Sequence, residues 1–291
     1  MRTALVTILA AGLMAAPAAA QQTVQETKAA RADGVVEIEN VAGSVRVEGW
    51  NRNEVALDAR LGRGIEGVDF DVSGGQTRIE VNYPRRGNSG GADLVVRVPA
   101  GSRVKTGTVS ADITVTGVSG PLDLRSVSGE VEVGGAPRSV SVETVSGDIQ
   151  IGAGSNDVRT ASVSGDIQVG GARGVLQAET TSGEIQVRGS GVSSLNLHTV
   201  SGSIGFTGSL DANASANVEA FSGEVDFLVP ADTRGDFELS TFSGSIRNDF
   251  NNQAVQRERR GPGASLEFTT GARGAQIKLK SFSGSLRLGR T

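Results

Sequence analysis

VSGDIQI (145–151), VSGDIQV (163–169) and TSGEIQV (181–187) repeat one seven-residue pattern at intervals of 18 residues. Working outward, VSGPLDL (118–124) and VSGEVEV (127–133) precede them. VSGSIGF (200–206), FSGEVDF (221–227), FSGSIRN (242–248) and FSGSLRL (282–288) follow. VSADITV (109–115) is a further copy with Ala111 in the glycine place. From Gly129 to Gly244 the period is 18 to 21 residues, and the 9 residues from Gly120 to Gly129 are half of one. The 40 residues from Gly244 to Gly284 read as two periods with one degenerate copy. A fixed period of this length signals a repeat architecture.

Counting from the glycine of each copy exposes the packing. Two residues after it stand only aliphatic side chains, among them Val131, Ile149, Ile167, Ile185 and Ile204. Seven and five residues before it come Val140 and Val142, Leu195 and Leu197, Ile277 and Leu279. Polar residues alternate with these, the signature of a half-buried strand. Each period thus predicts two short strands joined by the V-S-G corner and a Gly-rich turn. Such a unit cannot bury its apolar side alone, so neighbouring units must stack. The expected fold is all-β: a parallel β-solenoid with about two short strands per 18–21-residue rung. Glycine suits the corner through its access to φ > 0, and the serine before it suits local backbone bonding. The change from Val to Phe221, Phe242 and Phe282 at the corner reads as a core that widens toward the C-terminus.

Around this region the chain divides as follows. Residues 1–20 (MRTALVTILAAGLMAAPAAA) carry Arg2, an apolar run and an A-x-A site, the pattern of a cleaved signal peptide. Residues 21–32 read as a flexible leader. Residues 33–107 alternate without the strict repeat and read as a β-rich N-terminal cap, a small sandwich plugged by Trp50, which covers a solenoid edge prone to pairing. Residues 108–291 form the repeat region. Within it 249–265 reads as a polar surface loop carrying Arg257, Arg259 and Arg260.

Composition removes most chemistry. The 291 residues include 41 Gly, one His (His198) and no Cys, with 28 basic and 32 acidic side chains giving a net charge of −4. Absence of Cys excludes disulfides, thiolate metal sites and a cysteine nucleophile. One histidine, read as an exposed bystander, argues against His-based metal sites and triads. The charge balance offers no general basic surface for nucleic acid. No phosphate-binding G-x-x-x-x-G-K-[ST] motif occurs, and a serine in every copy is not a nucleophile.

The order of signal peptide, a Gly34–Trp50 opening of the form G-x-V-x-V-x-N-x-x-G-x-V-x-V-x-G-W, and serial V-S-G-[DE]-I-x-V copies resembles the bacterial putative-adhesin family. That resemblance covers about residues 34–288. It implies an envelope or surface interaction role and brings no catalytic residues. The expected function is a non-catalytic, exported binding or scaffolding module of the cell envelope, periplasmic, surface-attached or secreted. Its partner would be a polysaccharide, peptide or protein, without nucleic acid, membrane span or cofactor. Two alternatives stand beside it: a periplasmic envelope-stress sensor binding peptide or lipid head groups, and a carbohydrate-active β-helix enzyme using neighbouring carboxylates. The candidate binding strip is the acidic column Asp148, Asp166 and Glu184 with the amides Gln150, Gln168 and Gln186 beside it. Stacked carboxylates repel, so the column either stays solvated or attracts a cation such as calcium.

Overall fold

Ile149 pairs in parallel with Val131 on one side and Ile167 on the other, so like residues of successive copies lie on top of one another. This pairing runs on without a break. Leu94, Val45, Ile113, Val131, Ile149, Ile167, Ile185, Ile204, Val225, Leu286 and Ile246 form one column, each registered against the next. All but Ile246 are buried. A second column, from Ile38 through Thr106, Leu124, Val142, Thr160, Ala178, Leu197, Val218 and Leu279 to Leu239, lies in the strand before the corner. Both columns belong to one hydrophobic core except for the two threonines. Complete burial of each such aliphatic side chain is worth about 1.5–3 kcal/mol, which is what holds the stack together. The computed structural model describes residues 22–85, 89–152, 154–257, 261–272 and 274–291. Among these the chain is all-β and solenoid-like, with no helix. The signal-peptide reading of 1–20 lies outside the described residues.

Gly202 and Gly223 have the positive φ expected at the corner, 156° and 151°, but the other corner glycines are required for a different reason. Gly129, Gly147 and Gly165 are not in the positive-φ region. A Cβ on Gly147 would instead lie 2.0 Å from the carbonyl oxygen of Gly129, and one on Gly165 would lie 2.1 Å from that of Gly147. The same contact recurs along the column at 1.9–2.3 Å from Gly183 to Gly284 and Gly244. Backbones touch at each of these corners, where a residue without Cβ is what permits it; Ala111, paired with Gly43, holds the glycine place at an earlier one.

Three residues before the glycine the chain buries a hydroxyl. Thr108, Ser126, Thr144, Ser162 and Thr180 are all buried. Ser126 and Ser162 each accept the N–H of the following glycine at 2.8 Å. Thr144 donates to the Gly147 carbonyl at 2.8 Å and contacts the Ser162 hydroxyl at 3.1 Å. This column satisfies backbone groups that the bend takes out of the strand ladder. The serine next to the glycine is exposed and does less, as in Ser146 to the Val127 carbonyl at 3.3 Å.

Order along the stack departs from order along the chain at both ends. The strand Ala275–Ser283 lies parallel between Ile204–Ser222 and Gly235–Ser243, and Leu286–Arg290 lies between Val225–Val229 and Ile246–Asn248. The FSGSLRL copy therefore sits between the FSGEVDF and FSGSIRN copies. Among the described residues of the 40-residue interval no further copy joins the stack. Ala264–Thr270 instead runs antiparallel along the far side of Gly235–Ser243. At the other end Val35–Trp50 lies between Arg103–Thr116 and a layer made from Gln76–Asn82 and Ala92–Pro99.

Residues 33–107, expected as a cap and a small sandwich, thus continue the parallel stack and end it with antiparallel cover. Glu54–Leu61 covers Ala92–Pro99, and Gly67–Ser73 covers Gln76–Asn82. The expected flexible leader is in part a strand: Gln22–Ala29 pairs antiparallel with Glu54–Leu61 over eight residues. Its side chains are mostly polar and exposed, which disguised it, since its role is to occupy an edge rather than fill a core. Trp50 does not plug anything. It is half-buried, donates Nε1–H to the Glu54 carbonyl at 2.9 Å, and carries the Arg52 guanidinium over its ring at 5.0 Å. The expected loop at 249–265 also contributes to packing, because Phe250 is buried against Phe237 and Phe268.

Candidate functional site

The six strip residues all project to solvent from the strand side of the corner. Gln150, Gln168 and Gln186 are in direct register, each paired with the next. The strands place them about 4.8 Å apart. A shallow groove of about 440 Å³ runs along these three amides, between Glu132 at one end and Arg188 at the other.

The acidic column is tied into the backbone as well as exposed. Asp148 Oδ1 accepts the Asp166 N–H at 2.9 Å, and Asp166 Oδ1 accepts the Glu184 N–H at 2.7 Å. Asp112 does the same for Glu130 at 3.0 Å. Each of these three aspartates thus satisfies an N–H of the next layer that the bend leaves outside the strand ladder. Gln150 donates to Glu130 Oε1 at 2.7 Å, and Gln186 donates to Glu184 Oε1 at 2.5 Å. Asp148, Asp166, Glu184 and Gln186 are thus linked in series, and the backbone bonds relieve part of the repulsion expected from stacked carboxylates. Among the described residues no group of three or more His, Asp or Glu side chains is arranged to hold a metal ion.

A second surface was misread from sequence. The residue two before the glycine points outward in every copy but one, Val118 being buried. In stack order this edge reads Val41, Val109, Val127, Val145, Val163, Thr181, Val200, Phe221, Phe282 and Phe242. The valines are 41–47% exposed, and Phe221, Phe282 and Phe242 are 53%, 46% and 62% exposed. Phe282 stacks between Phe221 and Phe242 with centroid distances of 4.8 and 4.9 Å. These phenylalanines do not widen the core; Phe206, Phe227 and Phe237 are the buried ones. The signal that could have separated the two sets is parity, because Phe206 and Phe227 lie four residues after the glycine, in the inward phase. His198 is half-buried on the face beside this ridge, registered between Glu179 and Glu219. In the expected arginine cluster Arg257 is exposed at the end of a two-residue strand, and Arg259 and Arg260 lie outside the described residues.

The described molecule is thus an all-β, solenoid-like stack whose outer faces carry long uniform rows of side chains. Residues 175–288 match the model of the Toastrack DUF4097 family, the bacterial domain of unknown function to which the repeat pointed. No curated protein matches the chain. Solved structures with detectable likeness include a "putative adhesin" from Parabacteroides distasonis ATCC 8503, 9% identical, covering 92% of this chain and 97% of that one, with a TM-score of 0.38. A "putative lipid binding protein" from the same organism is 11% identical over 92% of this chain and 96% of that one, at a TM-score of 0.37. A "putative cell adhesion protein" from Clostridium sporogenes ATCC 15579 is 9% identical over 93% and 100%, at 0.26. No helix among the described residues is long and apolar enough to cross a membrane.

Proposed function

We propose that this protein is a non-catalytic, adhesin-like binding or scaffolding module of the cell envelope. It is exported by the signal peptide read in residues 1–20 and works in the periplasm or at the cell surface. Its framework is a parallel solenoid in which each rung is two short strands drawn from 18–21 residues. The observation that carries the reading is the row Asp148, Gln150, Asp166, Gln168, Glu184 and Gln186, exposed in register on adjacent layers. Repeated groups at a fixed spacing suit an extended partner with its own repeat, such as an envelope polysaccharide or a peptide, better than a compact small molecule. A reacting centre needs an irregular cluster of differently placed groups, and the row repeats the same placement layer after layer.

The test is the combined change Asp148→Asn, Asp166→Asn and Glu184→Gln. Each replacement keeps an oxygen able to accept the neighbouring N–H, so thermal melting is expected to move little. Binding of the purified protein to isolated envelope polysaccharide and to whole cells is expected to fall. Equal binding by parent and variant in both assays would reject the strip as the binding surface.

A further inference from the structure

The apolar ridge has a direction: three phenylalanines occupy one end and valines the rest. A contiguous exposed apolar patch beyond a few hundred Å² is unusual on a monomer. Three phenylalanines at about half exposure contribute about 300 Å², and the six valines roughly as much again. With its flanking side chains the ridge approaches the ~800 Å² per partner of a standard protein interface.

We propose that the ridge is the contact surface of a two-fold homodimer, with two copies lying antiparallel, ridge against ridge. Two features of the ridge select a second copy of this chain. The first is size. Reversing the order about the point between Val163 and Thr181 sets Phe242, Phe282 and Phe221 against Val41, Val109 and Val127 of the second copy. Large side chains then meet small ones at both ends, and the middle sets Val145 against Val200 and Val163 against Thr181. The second is charge. The residue two before each ridge residue forms a flanking row, with Arg125 and Glu143 toward one end, 3.4 Å apart in an exposed pair, and His198 and Glu219 toward the other. Its remaining charges, Glu39, Glu179 and Lys280, fall opposite Ser240, Ala161 and Gly107 on reversal. The same reversal brings Arg125 to Glu219 and Glu143 to His198 of the second copy, twice each. Such an interface is isologous and closes on itself. The acidic column lies across the Ser–Gly corner and flanks this contact without entering it, so the proposal does not depend on the strip.

The experiment is sedimentation equilibrium of the purified protein, with two sets of variants. The parent is expected to dimerise at micromolar concentration. Phe221→Ser with Phe282→Ser, and separately Val127→Glu at the opposite end, are expected to give monomers with an unchanged circular dichroism spectrum. Arg125→Glu and Glu219→Arg are each expected to weaken the dimer about tenfold, as two exposed ion pairs are lost per dimer. Combining the two reversals in one chain is expected to restore the parent value. A parent that stays monomeric at about 100 μM, far above any specific interface of this size, overturns the proposal. So does a dimer that survives the ridge variants, or a double reversal that restores nothing. Binding of lipid vesicles or polysaccharide through the ridge by a protein that remains monomeric also overturns it, by assigning the surface to another occupant.

Discussion

Replacing Gly147 with Ala tests the contact on which the stack depends. The added Cβ would meet the Gly129 carbonyl oxygen at 2.0 Å and its carbon at 2.8 Å. Both are backbone atoms in the adjacent layer, so no side-chain rotation relieves the clash. The two corners must part by about 1 Å or more to reach ordinary contact. Two hydrogen bonds hold that junction: Ser146 N–H to the Val127 carbonyl at 2.9 Å and Val131 N–H to the Asp148 carbonyl at 2.9 Å. Stretched by about 1 Å they leave hydrogen-bonding range, at a cost of about 1 kcal/mol each. Overpacking adds about 1–3 kcal/mol, so the expected total is about 3–5 kcal/mol. Gly107→Ala is the control. A Cβ there meets nothing within 4 Å, and φ is not positive, so its effect is expected to stay within about 0.5 kcal/mol. Urea unfolding followed by far-ultraviolet circular dichroism measures both. A loss below about 1 kcal/mol for Gly147→Ala would refute the argument that backbone contact dictates the corner residue.

Ile167 is fully buried in the central column, so Ile167→Asp is expected to cost more than about 4 kcal/mol by leaving an unpaired charge inside; denaturant unfolding checks it. Deleting residues 148–165 removes one 18-residue period and joins Gly147 to Asp166, leaving like layers in contact. A folded protein with a shorter but still cooperative β unfolding transition is expected, because each layer touches only its neighbours. Hydrogen bonding to Arg247, ahead of that to Arg287, holds the Asp249 carboxyl below its ordinary value of 3.8 despite some desolvation. A lowered folded value means stabilisation that is present above the ordinary value and lost as pH falls through the lowered one. Asp249→Asn is therefore expected to lower the melting temperature near neutral pH, with the difference from the parent shrinking in acid.

Much of the architecture could be read from the sequence because register and burial share one period. Ile149, Ile167 and Ile185 announce both their inward direction and their mutual stacking, and the pairings agree. The corner itself was harder to read. Hydrophobicity reads Phe282 as part of a widening core, whereas the structure exposes it with Val145 and buries the hydroxyls of Thr144 and Ser162. The bend removes backbone groups from the strand ladder, and a buried hydroxyl is what satisfies them. Layer order was illegible for a different reason. FSGEVDF, FSGSIRN and FSGSLRL present nearly the same faces, so nothing local states which lies beside which. The strand at 22–29 escaped notice because it bonds through its backbone and buries little. Of the candidate strip, the alignment of the three glutamines followed from the repeat; the carboxylate bonds to the next layer needed the bend in three dimensions.

The insertion of residues 275–290 between two earlier segments has a consequence for how the molecule is made. A polypeptide emerges from its N-terminus, so the segment 235–248 is available before the neighbour that finally separates it from 204–229. Gly223 and Gly284, which touch, are 61 positions apart in sequence, against 18 for most corners. Closing so long an interval carries a larger entropic cost than adding the next repeat, and such non-local contacts form slowly. Meanwhile 235–248 presents the same pattern to the vacant place and can settle there provisionally. Where it does so, the later segment has to displace it, and a chain interrupted before residue 275 is expected to keep Phe242 directly on Phe221.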